Sequence, residues 1–405
     1  MVKKSLLVVL AILASLSLFA VIKVGVTAPL QTENGEWVKQ AVTMAAEEIN
    51  ANGGIDGEKI ELFFVDDEDT ASKMISGITR LVTRDQVDYL IGGVGSGAVL
   101  ASLDTMARYE LIWLGTGAAS PDTTKKVAEN FNKYKYYFRV GTLDSYSQGK
   151  SIGEFIANYL VPEYGIDKAA VISLDLVYSK QIAEEAVRLA EEAGVEIVYE
   201  DYFPVGHTDF SASFSKAEQA GAQVIIDAIV TADGIQFTKQ WQDLKVDAAI
   251  VGAIAAALKP EFLEQTNGKA TYETSAYPNG GPAPLTENTL DWFAEFKERF
   301  GTSPGFIAFP AYNALYVLEE ALESIDKSDW DNKDKVIAAI EKVEFPLGGE
   351  KGVSPVMFTE NHDLVYGGNG AQGIIYQWQS DGEWRAVWPL EYKTGTWEVP
   401  AWLDW

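Results

Sequence analysis

Short β-rich apolar runs alternate along the chain with segments whose apolar residues recur every three to four positions. The first run, IKVGVTAP at residues 22–29, reads as a buried strand. In the EWVKQAVTMAAEEINANGG that follows, Val38, Ala41, Val42, Ala45 and Ile49 share one helical face until Gly53-Gly54 stop it. The same periods predict strands at 59–65, 87–92 and 111–115, with helices at 70–84 and 97–108. After an irregular aromatic stretch, NFNKYKYYFRVGTLDS, the series restarts with helix 148–162, strand 168–174 and a helix ending at Gly194. It continues with strand 195–199, helix 210–220, strand 222–230, helix 233–243 and strand 248–252. Serial βα units predict parallel sheets with helices on both faces and ligands at the carboxyl ends of the strands. Two series of similar size predict two lobes. Beyond Tyr272 the Pro/Gly-rich AYPNGGPAPLTE reads as a connection, two helices follow at 287–300 and 307–325, and the tail from Pro355 reads as hairpins.

Length agrees with this division, since 405 residues exceed one ordinary core and a 47% share of hydrophobic residues can fill two. Residues 1–20 stand apart: Lys3-Lys4, then the uncharged SLLVVLAILASLSLFA ending at Ala20, the layout of a secretory signal peptide, with a short membrane anchor as the alternative. The folded part is therefore expected to begin near Val21, outside the cytoplasm. No cysteine is present, so no disulfide and no thioether lipid anchor is available. The formal charge of -27 has the wrong sign for nucleic acid or anionic lipid, and suits a soluble, self-repelling surface.

Catalytic chemistry is poorly represented. The two histidines, His207 and His362, lie in polar, loop-like contexts and read as surface turn residues. No G-x-S-x-G elbow occurs. The acidic VDDEDT at 65–70 lacks EF-hand spacing and reads as a solvated strand end entering a helix, so neither a metal nor an enzyme is expected.

Two glycine-rich loops remain, GGVGSGA after strand 87–92 and GTGAASPD after strand 111–115. Gly93-x-Gly95-x-x-Ala98 is a loose dinucleotide fingerprint, but the next strand ends without the carboxylate that a ribose needs. Each loop instead brings backbone N–H groups and a small hydroxyl to a helix N-terminus, an arrangement that accepts a carboxylate without arginine. Glycines that merely permit tight turns are the alternative.

Taken in order, IKVGVTAPLQ, EEINANGGIDG, LIGGVGSGAVLASLD, GTGAASPD, FRVGTLDSYSQG, TDFSA and VWPLEYKTG resemble the solute-binding proteins of branched-chain amino-acid ABC importers, from about residue 22 to the C-terminus. The resemblance implies an α/β fold of two doubly wound, Rossmann-like lobes with a three-crossing hinge, the type I periplasmic-binding-protein fold. The N-terminal lobe would comprise 22–142 plus 278–350 and the C-terminal lobe 143–277 plus 351–405, with crossings near 141–147, 275–283 and 346–355.

Matched residue by residue, the resemblance makes Ser96, flanked by Gly95 and Gly97, a hydroxyl donor to the ligand's carboxylate. Gly117 and Ala118 would offer backbone groups, while the family's usual threonine falls on Ala119, with Ser120 as a substitute. Tyr178 matches an aromatic lid, Thr231 a second lid position, and Asn34 joins the candidate contacts. The family's acidic partner for the α-ammonium falls near Ile254, so that partner is missing, and Asp144 becomes either the substitute or a helix N-cap. The implied function is capture of a small carboxylate-bearing solute by a monomeric exported protein for an ABC permease, with no cofactor and no nucleic acid. An amino acid comes first. An organic acid or amide without an α-ammonium, or a ligand sensor of the same fold, is the alternative.

Overall fold

In the structure, a computed structural model that describes residues 21–259 and 261–404, the strands form two separate sheets. The expected leader, residues 1–20, lies outside the described residues. The first sheet contains β1 (Val21–Ala28), β2 (Lys59–Asp66), β3 (Tyr89–Gly92), β4 (Ile112–Gly115) and β5 (Tyr137–Arg139) in the spatial order 2-1-3-4-5, all parallel.

The second sheet holds β6 (Lys168–Leu174), β7 (Glu196–Phe203), β8 (Val224–Ile229), β9 (Ala249–Ile254) and β10 (Thr274–Pro278) in the order 7-6-8-9-10. The antiparallel pair β11 (Gly373–Trp378) and β12 (Trp384–Trp388) extends it beyond β10. Both sheets thus repeat one doubly wound order. In each, the strand order reverses between the first strand and its third, and such a switch point leaves a crevice beyond the strand ends. The loops after β1 and β3 in one sheet, and after β6 and β8 in the other, are the ones so placed.

Packing follows the apolar stripes. The helix Glu33–Ala51 buries Val38, Ala41, Val42, Ala45 and Ile49, the face its spacing predicted. After β10 the chain returns to the first sheet, where Trp292, Phe309 and Val336 of the helices Thr289–Phe300, Ala308–Glu323 and Lys333–Ile340 enter its core. Two short strands escaped the periodic reading. β5 sits in the aromatic stretch that looked irregular, and β10 lies within what read as a connection.

The third crossing also moves. Residues 356–364 stay with the first sheet: Phe345 pairs with Val356, the Arg139 guanidinium ion-pairs with Asp363 at 2.7 Å, and His362 stacks on Phe138 with centroids 3.8 Å apart. Tyr366 then donates to Glu154 beside the other sheet, so the passage lies between Tyr366 and Gly373 rather than at 346–355. His362 is accordingly a core residue, fully buried with ring nitrogens meeting Tyr137 O and Glu341, and not the surface turn residue its polar context suggested. In the acidic turn after β2, Asp67 is likewise buried, accepting hydrogen bonds from Thr27 Oγ1 and Asp69 N.

Candidate functional site

The glycine-rich loop after β3 is shaped by close approach. Gly92 and Gly93 adopt φ of +108° and +88°, and a Cβ on Gly92 would lie 2.1 Å from Thr27 O. Only glycine fits such a backbone. The helix Ser96–Tyr109 begins directly afterwards with Gly95 at its N-cap, where the Asp69 carboxylate accepts the Gly95 N–H. Its first amides therefore lack intrahelical partners and carry the positive end of the helix dipole. Ser96 Oγ accepts Ser120 N–H at 3.0 Å, which ties the loop after β4 to this helix start and leaves the serine proton free to donate.

The loop after β4 rests on a buried cation. Arg139, fully buried at the end of β5, donates to the carbonyl of Ala118, to Ser120 O at 2.7 Å and to Thr123 Oγ1 at 2.9 Å, while pairing with Asp363. This residue went unnoticed in the sequence. The Gly117 N–H, expected to be open to a ligand, is instead bonded to Gly93 O at 3.0 Å.

Between the two sheets lies a cavity of about 520 Å³, within the usual range for small-molecule sites. On the first sheet's side it is lined by Asn34, Val94, Ser96, Gly117, Ala119 and Phe306. Tyr178 and Gln148 face them, with Val230, Thr231 and Ile235 after β8 and Ala253, Ala255 and Ala256 at the end of β9. Thr142 and Pro278, on connecting segments, close the back. Tyr178 donates to Gln148 Oε1 at 2.8 Å, and burial raises its phenol pKa, so it stays a neutral donor. Gln148 is held in turn by Nε2 donating to Leu143 O at 2.7 Å. Thr231 donates to Asp233 at 2.8 Å.

Of the residues singled out in the sequence, Asn34, Ser96, Gly117, Ala119, Tyr178 and Thr231 line this cavity. Six others do not. Gly95 packs on Asp69, where a Cβ would meet a carboxylate oxygen at 1.9 Å, and Gly97 faces solvent. Ala118 is buried under Arg139, and the Ser120 hydroxyl accepts Asp122 N–H at 3.2 Å. Asp144 caps the helix Ser145–Phe155, accepting Ser147 N–H at 2.7 Å. Burial, then the nearby Asp363 charge, raises its carboxyl pKa. Ile254 points to the far side of its sheet, against Gly234, and its N–H is bonded to Ser275 Oγ at 3.0 Å.

The cavity wall missed in the sequence consists mainly of small apolar residues, which carry no chemical signature, plus Thr142, Gln148, Lys259 and Gln265. No aspartate or glutamate lines the cavity among the described residues, and Lys259 is its one charged side chain. Behind the β9 end, Asp227 Oδ1 accepts Ala253 N–H at 3.2 Å, and Ser275 bonds to Glu273. Burial pushes both of these acids well above the usual carboxylate range, and Glu273 is raised further by Asp227.

A family model described as "Periplasmic binding protein" matches residues 21–383. The Leu/Ile/Val-binding protein homolog 2 of Brucella abortus is 28% identical over 366 residues, covering 84% of this chain and 90% of its own. A putative branched-chain amino acid ABC transporter protein from Silicibacter pomeroyi superposes with a TM-score of 0.83 at 23% identity, covering 95% of this chain and 100% of its own. The solute-binding protein of an R. palustris ABC transporter, solved with benzoate, superposes with a TM-score of 0.69 at 13% identity, covering 95% of this chain and 99% of its own. With two doubly wound lobes facing each other across a cleft, and a family match over nearly its whole length, the chain belongs to the periplasmic binding proteins of type I fold, as a solute-binding protein of the branched-chain amino-acid ABC-transporter type.

Proposed function

We propose that this is an exported, non-enzymatic receptor that encloses a small monocarboxylate with an apolar body and no ammonium group, and delivers it to an ABC permease. The observation that carries the ligand class is the make-up of the cleft. One wall offers the N-terminus of the helix Ser96–Tyr109 and the Ser96 hydroxyl, much of the other is hydrocarbon, and no carboxylate is among the described lining residues. The helix amides and Ser96 suit a carboxylate. An α-ammonium shut into the same space would lack a counter-charge, at a cost of several kcal/mol by the general rule for buried charges. Asp144 is occupied as a helix cap and the Ile254 side chain points away, so neither supplies that charge.

An organic acid therefore fits better than the amino acid placed first by the sequence. The R. palustris solute-binding protein, which shares this fold and was solved in complex with benzoate, supports this reading. Export and a permease partner are supported by the family type and by the leader-like residues 1–20. A non-enzymatic role is supported by the family type.

A thermal-shift screen tests the proposal. Benzoate, 3-phenylpropanoate and 4-methylpentanoate are expected to raise the melting temperature, with a binder at 100 times its Kd adding about 2.7 kcal/mol. Stabilisation by polyamines or sugars alone would contradict the carboxylate cradle.

A further inference from the structure

Lys259 leaves the second lobe just after the turn Ala255–Leu258 that follows β9. Its ammonium ion-pairs with Glu33, the first residue of the helix Glu33–Ala51 on the opposite lobe. The same ammonium lies 5.6 Å from the ring centre of Trp37, one helical turn further along. Trp37 is a rigid anchor: it is 5% exposed, and the backbone at Gly305 runs so close that a Cβ there would sit 2.2 Å from its indole ring. Ala255, Ala256 and Leu258 of the turn also line the cleft, so the segment that carries Lys259 is part of the wall that must swing when the lobes part.

We propose that Lys259, Glu33 and Trp37 form a clasp across the cleft mouth, and that Lys259 is a positioning residue for lobe closure rather than the counter-charge of the ligand. The ammonium is already matched by a carboxylate and an aromatic face, and both partners belong to the lobe that separates from it on opening. The contact therefore exists in the closed arrangement and contributes nothing to the open one. Its side chains are 35% and 43% exposed, so water and salt weaken it, and it acts as a bias on the equilibrium rather than a lock. An exposed ion pair together with a cation–π contact corresponds to about a fivefold change in the ratio of closed to open molecules.

The absence of cysteine allows a direct measurement, because Lys125→Cys and Glu192→Cys place one label on the exposed surface of each lobe. Pulsed electron–electron resonance on the ligand-free, doubly spin-labelled protein reads the interlobe distance distribution. A closed population is expected. Lys259→Met, which keeps a long apolar stem over Trp37, should lower the closed-to-open ratio about fivefold, and Glu33→Gln, which leaves the cation–π contact, about twofold. The double variant should fall no further than Lys259→Met alone, and exchanging the charges by Lys259→Glu with Glu33→Lys should restore the ion-pair share of the loss. A wild-type distribution that is wholly open, an unchanged distribution in either single variant, or additive losses in the double variant would each overturn the clasp. No ligand enters this measurement, so its outcome is independent of which solute the cleft accepts.

Discussion

Replacing Ser96 by alanine removes two hydrogen bonds with different consequences. The first is the bond that Ser96 Oγ accepts from Ser120 N–H at 3.0 Å, which joins the two glycine-rich loops. Ser120 is only half-buried, so water can take over its amide, and the loss of folding stability should be about 0.5–1.5 kcal/mol. The second is the bond that the freed serine proton would make to the proposed carboxylate in the cleft. Being charge-assisted and shielded from water, it is worth about 1.5–3 kcal/mol, so Ser96→Ala should weaken binding about tenfold to a hundredfold. Isothermal titration with the tightest monocarboxylate of the thermal screen measures the second effect, and urea denaturation of the empty protein measures the first. Ser120→Ala serves as the control, because it keeps the backbone N–H and removes a hydroxyl that bonds Asp122 N–H outside the cleft. Its affinity should match wild type. If Ser96→Ala loses stability but binds as tightly as wild type, Ser96 only ties the loops together and the cradle argument fails.

Arg139→Met deletes a fully buried guanidinium and strands Asp363, so urea denaturation should show a loss of about 3–5 kcal/mol; a loss below about 1 kcal/mol would mean that the loop after β4 does not depend on it. Tyr178→Phe keeps the ring over the cleft and removes only the bond to Gln148, so binding should change little, whereas Tyr178→Ala should speed ligand dissociation in stopped-flow measurements; equal dissociation rates would remove the lid role. Asp227 and Glu273 hold their protons in the folded state far above the pH at which the unfolded carboxyls lose theirs. Their stabilisation is therefore complete below about pH 4 and is lost as pH rises through the folded-state values. Asp227→Asn should flatten the fall in melting temperature as pH rises above about 4, and parallel curves for mutant and wild type would refute the assignment.

Much of the architecture is readable because burial on both faces forces strands such as KAAVISL and VIIDAI into nearly continuous apolar runs. The loop carrying Ser96 was legible because it leaves a strand in a glycine-rich turn before a helix, whereas Tyr178 and Thr231, which line the same cavity, came only from the family resemblance. The cleft was illegible where one residue of register decides the outcome. The position matched near Ile254 sits on a strand end, where successive side chains point to opposite faces: Ala253 lines the cleft and Ile254 lies in the core. Arg139 escaped notice, and His362 was read as a surface turn residue, for another reason. A charged or polar residue in a short aromatic or polar segment looks solvent-exposed until the fold supplies Asp363, Glu341 and the carbonyls that satisfy it. The late crossing had the same origin, since it is the Arg139–Asp363 pair and the His362–Phe138 stack that keep residues 356–364 on the first lobe.

The central claim is that the cleft binds a carboxylate and has no place for an ammonium beside it. Calorimetric titration of the wild-type protein with leucine and 4-methylpentanoate, and with phenylalanine and 3-phenylpropanoate, isolates that claim, because each pair differs only in the amino group. With no carboxylate among the described lining residues, the deaminated member of each pair should bind more tightly by about 2–5 kcal/mol, or at least thirtyfold. Tighter binding of leucine or phenylalanine than of its deaminated partner would contradict the account.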